Sequence, residues 1–317
     1  MSFEKQKLCI SDFDQLREVL EGWQTEPVQL SPGPLDLTVE AASASQFNVL
    51  RMSLSPRISD CAVVHENVVG FVLVESAHVW CGIELVPPAI IIVRSGREMR
   101  SVLEKNFRSL EFYLPQQVLD ENSIGLWLRK RSFDPEQSVF PVSETSAARL
   151  RYLASAIFGF TGIMPGQSGN DMSCSVRSRL LNLLEASLAP HFDDKPPISP
   201  LSKPRVRSDL AVAALDEIVR TGLAQTSVRE IHGRLGVSRR ALEKAFASTL
   251  GISPGQYLLA HRLNQARNHL VTKAHRVIDA AMETGFQDLS RFAYQYRRLF
   301  GELPSETLQR CNKHISR

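Results

Sequence analysis

The chain has 317 residues, 43% of them hydrophobic and 22% charged, which excludes a disordered or fibrous protein and leaves room for two domains of ordinary size. Its net charge is only +3, and no apolar run approaches the roughly 18 residues of a membrane span. The N-terminus, MSFEKQKLCISDFDQ, interrupts its apolar residues with charges and does not read as a secretory leader, so a cytoplasmic protein is expected.

The small net charge hides an asymmetry. Residues 205–317 hold 18 Lys and Arg against 10 Asp and Glu, a net of +8, and the rest of the chain carries −5. A basic C-terminal third points to a polyanion partner. The five cysteines, Cys9, Cys61, Cys81, Cys174 and Cys311, are scattered, odd in number and lack a CxxC pair. That argues against a disulfide framework and a structural zinc site, and leaves reduced thiols, with a redox sensor as the alternative.

In chain order, residues 35–114 read as strand-rich. Leu35, Leu37, Val39 and Ala41 alternate with Asp36, Thr38 and Glu40, the period of a half-buried strand. Short apolar runs follow at 46–54, 69–75, 89–93 and 109–114, separated by Pro, Gly, Ser and Asn, a spacing that favours a small barrel or sandwich. Two helices come next. One carries Leu150, Leu153, Ile157 and Phe158; the other carries Val176, Leu180, Leu183, Leu184 and Leu188. The leucine stripe Leu180, Leu183, Leu184 and Leu188 packs either on the chain's own barrel or against a partner chain; it is read as the face of a homodimer, since pairing raises the affinity of a two-part reader.

The stretch 190–205, PHFDDKPPISPLSKPR, reads as an extended linker, because its five prolines forbid continuous helix or sheet. Beyond it the pattern is helical. Ser208 caps a helix with Val212, Leu215, Ile218 and Val219 inward. Ser227 and Glu230 form a capping box, Gly236 ends that helix, and Ser238 starts the next. Pro254 opens a long helix through Leu270; a helix over 275–284, a Gly285 turn, a helix from 288 to 300 and a last one after Pro304 follow.

Within this region the punctuation is written twice. Ser238, Leu242, Phe246, Leu250, Gly251 and Pro254 recur fifty positions later as Asp288, Phe292, Tyr296, Phe300, Gly301 and Pro304. Each unit is helix, glycine turn, capped helix: the punctuation of a helix-turn-helix, whose second helix can enter a major groove of DNA. Leu242, Ala245, Phe246 and Leu250 face inward in the first unit, and Phe292, Tyr296 and Phe300 in the second. The DNA-facing candidates are Ser238, Arg239, Arg240, Glu243 and Lys244, then Ser290, Arg291 and Tyr294. Arg can take guanine O6 and N7, a carboxylate can accept from cytosine N4, and Lys or a helix N-terminus favours phosphate. A joining helix of roughly 16 residues spans roughly 24 Å. With its neighbours' width added, that separates two readers by about one DNA turn, roughly 34 Å.

The stretches LGVSRRALEKAFASTLGISPGQYLLAHRLNQAR and GFQDLSRFAYQYRRLFGELP resemble the DNA-binding domain of AraC/XylS-type transcriptional regulators. The resemblance covers about the last third of the chain. It implies that Arg240, Glu243 and Lys244 in the first unit, and Leu289, Ser290, Arg291 and Tyr294 in the second, are the base-facing positions. His232 departs from the family's small alanine at a tight helix crossing, where the second unit keeps Ala281; Ala280 replaces a larger aliphatic, and Tyr294 a common basic residue. The resemblance also implies a cupin-like N-terminal domain that binds a small-molecule effector and dimerises.

The expected protein is α+β and multidomain. Residues 1–189 form a strand-rich regulatory and dimerisation domain (cupin-like barrel or sandwich, with helices), 190–205 a Pro-rich linker, and 206–317 an all-α domain of two helix-turn-helix units on a linker helix. Its expected function is sequence-specific transcription regulation, as an activator by resemblance, with double-stranded DNA and RNA polymerase as partners and no membrane. An architectural DNA binder is the structural alternative. A metal-dependent cupin-type enzyme fused to a DNA-binding domain is the remote one: only His65 and His78, with Glu66 and Glu75 nearby, lie in the strand region, and no His-x-His occurs. A DNA-repair methyl acceptor is disfavoured by the missing cysteine cluster and Pro-Cys-His motif, and neither a phosphate loop nor a GxSxG elbow is present. No enzyme activity, cofactor or metal is expected.

Overall fold

The computed structural model describes residues 4–10, 24–44, 46–64, 67–76, 78–81, 83–120, 122–131, 138–160, 169–192, 209–221, 226–272 and 276–315. The β region holds strands β1 (Glu4–Ile10), β2 (Gln24–Thr25), β3 (Val28–Gln29), β4 (Leu37–Ala44), β5 (Phe47–Leu54), β6 (Ile58–Val63), β7 (Val68–Val74), β8 (His78–Trp80), β9 (Ile83–Leu85), β10 (Ala89–Arg94), β11 (Glu98–Leu103), β12 (Phe107–Pro115) and β13 (Val139–Pro141). Helices α1 (Gln116–Asp120), α2 (Ser123–Arg129), α3 (Glu144–Gly159) and α4 (Gly169–Leu188) complete it. The C-terminal region holds α5 (Asp209–Thr221), α6 (Val228–Arg234), α7 (Arg239–Thr249), α8 (Pro254–Thr272), α9 (Val277–Glu283), α10 (Leu289–Phe300) and α11 (Pro304–Ile315).

The strands build two antiparallel sheets, ordered β1-β4-β5-β12-β7-β10-β13 and β2-β6-β11-β8-β9, with β3 also paired to β6. Strand alternation sorts their side chains into layers. On β7 and β10, Val72, Val74, Ile91 and Val93 face the second sheet, while Phe71, Leu73, Ile90 and Ile92 face α3 and α4. Both faces of these central strands are therefore buried, which is why they read as unbroken apolar runs. Along β4, Leu37 and Val39 point into the intersheet core, but further on Ala42, not Ala41, is the buried residue, on the helix-covered face.

Leu180, Leu184 and Leu188 are fully buried against the chain's own first sheet, and Leu183 is half-buried. The stripe read as a dimer face is thus largely consumed inside the protomer: the outer face of that sheet is itself apolar and needs a cover. The chain continues from α4 into a short 3-10 turn, Ala189–His191, because Pro190 sits in its first turn, where a missing N–H costs nothing. The rest of the expected linker, and the Ser208 cap, lie outside the described residues. Val219, expected inward on α5, is 59% exposed, while Leu215 and Ile218 are buried.

The helical region has two cores on one spine. Leu215, Ile218, Ile231, Leu242, Phe246 and Leu250 pack with Tyr257 and Leu258 of α8. Ala280, Ala281, Phe292, Tyr296, Leu299 and Phe300 pack with Leu263, Ala266 and Leu270, further along the same helix. Val79 and Val102 of the second sheet join the first of these cores, so the outer face of that sheet seats the helical region. Among the described residues no helix is long and apolar enough to cross a membrane.

Candidate nucleic-acid interface

The repeated punctuation is realised in hydrogen bonds. The Ser238 hydroxyl accepts from the Ala241 N–H at 3.2 Å, and the Asp288 carboxylate accepts from the Arg291 N–H at 2.9 Å, the same position of each repeat. The turns before them close on Gly236 (φ +64°) and Gly285 (φ +83°), in the left-handed region that only glycine enters freely. Val237 N–H reaches the His232 carbonyl at 3.0 Å, and Phe286 N–H the Ala281 carbonyl at 2.9 Å, so both turns share one geometry. The Ser227–Glu230 capping box forms at the start of α6.

Each capped helix divides cleanly into a buried and an open face. On α7, Leu242, Ala245 and Phe246 are buried, whereas Ser238, Arg239, Arg240 and Lys244 are exposed. On α10, Phe292, Tyr296 and Phe300 are buried, and Leu289, Ser290, Arg291 and Tyr294 are exposed. Tyr294 stands 67% in solvent, a planar apolar surface where a base or a thymine methyl can stack. Each group of expected contacts therefore lies together on the first turns of its own helix. Arg240, Lys244 and Arg291 have no side-chain partner among the described residues and keep their charge free for an anion. Arg239 and Glu243 are not free in this way: they pair with each other at 2.8 Å along one turn. Glu243 can accept from a base only with its other oxygen or after that pair opens.

His232 is half-buried in the first unit, whereas Ala281, at the corresponding crossing of the second, is fully buried along with Ala280. Apolar Met282 (66% exposed) and Ile278 (38%) lie open on α9, which packs against α10. Sequence reading did not single them out, although Ile278 and Met282 stand at i and i+4, one apolar stripe of α9.

The β region offers different chemistry. A cavity of about 120 Å³ lies between the sheets, lined by Leu37, Met52, Trp80, Ile91, Phe107 and Tyr113 among others. His78 lines it at 4% exposure with both ring nitrogens unpartnered, and the Trp80 Nε1 is likewise unpartnered. Burial pushes the His78 imidazole down to about 3, so the ring is neutral. Burial raises Glu111, on the same cavity, against the hydrogen bonds of Ser109 and Tyr113. Among the described residues no three His, Cys, Asp or Glu side chains converge where a metal could sit. Glu75 is held by Arg151 at 2.6 Å, and His65 and Glu66 lie outside the described residues.

A capped, basic-faced helix held out on a glycine turn defines the DNA-binding helix-turn-helix class. The helix-turn-helix domain family matches residues 232–310, from the last residues of α6 into α11, and so takes in α7 and the second unit. That segment is an AraC/XylS-type DNA-binding domain. The XylDLEGF operon transcriptional activator of Pseudomonas putida is 35% identical over 83 residues, 25% of this chain and 26% of that protein. The HTH-type transcriptional regulator ArgR of Pseudomonas aeruginosa is 39% identical over 77 residues, 24% of this chain and 23% of that protein. A probable AraC family transcriptional regulator from Rhodopseudomonas palustris is a structural neighbour with 33% identity and a TM-score of 0.31, covering 32% of this chain and 97% of that one. The chain thus spans about a quarter of the length of the curated relatives it matches.

Proposed function

We propose that the protein is a sequence-specific transcription regulator, acting as an activator, in which one chain reads two successive major-groove segments of double-stranded DNA. In this reading 1–189 is the regulatory domain, 190–205 the linker and 206–317 the reader. The observation that carries it is the pair of helices α7 and α10, capped by a side chain at the same position of the repeat, each with an open face and each rooted in the single spine α8. Spine length supports it: the 19 residues of α8 span roughly 28 Å, close to one DNA turn once the flanking helices are added. Activation would follow from bringing RNA polymerase to a nearby promoter.

Effector control belongs to the same reading and rests on the intersheet cavity. Its volume of about 120 Å³ is near that of cavities that take a single aromatic ring. Its unpartnered His78 and Trp80 nitrogens are costly to leave unsatisfied and suit one neutral hydrogen-bonding group. Homodimerisation is also part of it. With the leucine stripe buried, the outer face of α3 and α4, where Tyr152 stands 72% exposed near Leu183, is the surface we assign to the second copy.

The test is selection of bound fragments from a random DNA pool at about 150 mM salt, where non-specific binding is weak. An enriched motif of two elements about ten base pairs apart is expected. Retained DNA without an enriched motif would replace this reading with an architectural binder that docks on the backbone.

A further inference from the structure

The second strand-rich layer does more than seat the helical region. Gln29, on β3, is 1% exposed. Its main chain exchanges two hydrogen bonds with the side chain of Asn264, midway along α8: Gln29 N–H donates to Asn264 Oδ1 at 3.0 Å, and Asn264 Nδ2 donates to the Gln29 carbonyl at 3.1 Å. The Gln29 amide Nε2 donates to the Leu299 carbonyl at 3.0 Å, and Gly33 N–H donates to the same carbonyl at 2.9 Å. Leu299 lies in the last turn of α10, where carbonyls lack partners within the helix.

Arg57, between β5 and β6, does the equivalent for the first unit. Its Nη2 donates to the Leu250 carbonyl at the end of α7, at 2.7 Å. A cation at a helix C-terminus also meets the negative end of the helix dipole. Arg57 is itself fixed, by Glu104 at 2.9 Å and by its N–H to the Ser31 hydroxyl at 2.8 Å. The Ser31 and Gly33 carbonyls lie 3.0 and 2.6 Å from Gln29 Nε2 and share its two hydrogens with Leu299, which ties Arg57 and Gln29 into one piece. A Cβ on Gly251 would lie 3.0 Å from Arg57 Nη2, and one on Gly301 3.7 Å from Pro34. Gly251 and Gly301 are repeat partners. The same small piece of the β region therefore grips both units at matching places, their C-terminal ends, opposite the capped ends that carry the open faces.

We propose that residues 29–34 with Arg57 form a splint that fixes the separation and angle of α7 and α10, and so sets which spacing of DNA elements the protein accepts. The inference rests on the double-reader reading above. Without the splint each unit is held to α8 by side-chain packing, about which it can pivot. With it, each unit is held at two points. Changing the spacing by one base pair moves the second element by about 3.4 Å and about 35° around the duplex, more than a splinted pair can follow.

The test compares full-length wild type with Gln29→Ala, Arg57→Ala and Asn264→Ala on duplexes whose selected elements are moved apart or together by one and two base pairs. Wild type is expected to lose about tenfold or more per base pair of displacement, and the variants no more than about threefold, with affinity at the selected spacing kept within a few-fold. Asn264→Ala leaves β3 intact and serves if Gln29→Ala disturbs folding. Variants that keep the wild-type spacing profile overturn the splint, as does uniformly tighter binding at every spacing, which would make the contact a brake. Scrambling each element separately distinguishes the two readings. If one element proves dispensable, the double reader falls; if both are needed but wild type ignores spacing, only the splint falls.

Discussion

Arg267, on the spine helix, meets Glu302, in the turn after α10, at 2.7 Å, and the guanidinium lies 4.9 Å from the centre of the Phe300 ring. Arg267 is 8% exposed, so Glu302 neutralises a buried cation while Arg310 and Thr307 complete its shell at 2.5 and 2.8 Å. Burial alone would raise the Glu302 carboxyl, but hydrogen bonds from Arg310 and Thr307 and the charge of Arg267 outweigh it and bring the group down to about 2. A carboxylate depressed in the folded state stabilises above its unfolded value near 4.5 and loses that contribution as pH falls toward 2. The second unit should therefore weaken by roughly 2–3 kcal/mol across that window. Denaturation of Glu302→Gln at neutral pH and near pH 3 checks this: the variant should be weaker at neutrality but far less acid-sensitive. Equal acid sensitivity in both proteins would remove Glu302 as the cause.

Arg240 is exposed in the first turn of α7, with no side-chain partner among the described residues. Arg240→Ala is expected to cost about 1–3 kcal/mol at the selected site and to relax choice at one base position. Arg239→Ala should cost less, because Arg239 is engaged by Glu243 at 2.8 Å. Titration of duplexes with single-base changes measures both. Equal loss on random DNA would show that Arg240 touches only phosphate.

Phe292 is fully buried, with ring centres of Phe286 and Tyr296 at 4.9 and 5.6 Å. Phe292→Ala should destabilise the second unit by roughly 3–5 kcal/mol through lost burial and the cavity left behind. Amide hydrogen exchange reports it locally, as lost protection in α10 with α7 unchanged. A variant protected throughout would contradict the packing of α10 on α8.

The fragment 206–317 retains both helical cores but loses Val79, Val102 and the Arg57 and Gln29 contacts. It should fold and bind DNA, more weakly than the full chain, with the larger stability loss in the first unit. Fluorescence titration of both proteins at one salt concentration decides it. Equal affinity would mean that neither pairing of chains nor the β region aids binding.

The C-terminal helical region was legible in the sequence because its rules are local. A serine or aspartate three residues before an N–H, a glycine where φ must be positive and an aromatic every fourth residue fix helices within a few residues of themselves. Phe292, Tyr296, Arg291 and Tyr294 therefore lie where their spacing places them. The β region was half legible. Strands buried on both faces, such as β7 and β10, announced themselves, whereas β1 (EKQKLCI) carries charges along an edge and, among the described residues, pairs only with β4. The strands β6 (ISDCAV) and β11 (EMRSVL) turn Cys61 and Arg100 toward the helical region, and so show no clean alternation of apolar and polar residues.

What the sequence determined by itself is the punctuation: two capped helices on glycine turns, repeated at a fixed offset, with basic and aromatic residues on their open faces. Only the tertiary structure decided where the leucines of α4 are spent, that Glu243 is held by Arg239, and that Gln29, Asn264 and Arg57 bind the two regions together. The physical reason is range. Caps and periodicity act over three to five residues, so the chain carries their signal locally. The Gln29–Asn264 bonds join positions 235 residues apart and pair an asparagine side chain with main-chain atoms that every residue type supplies alike, so nothing in the sequence around Gln29 marks its partner.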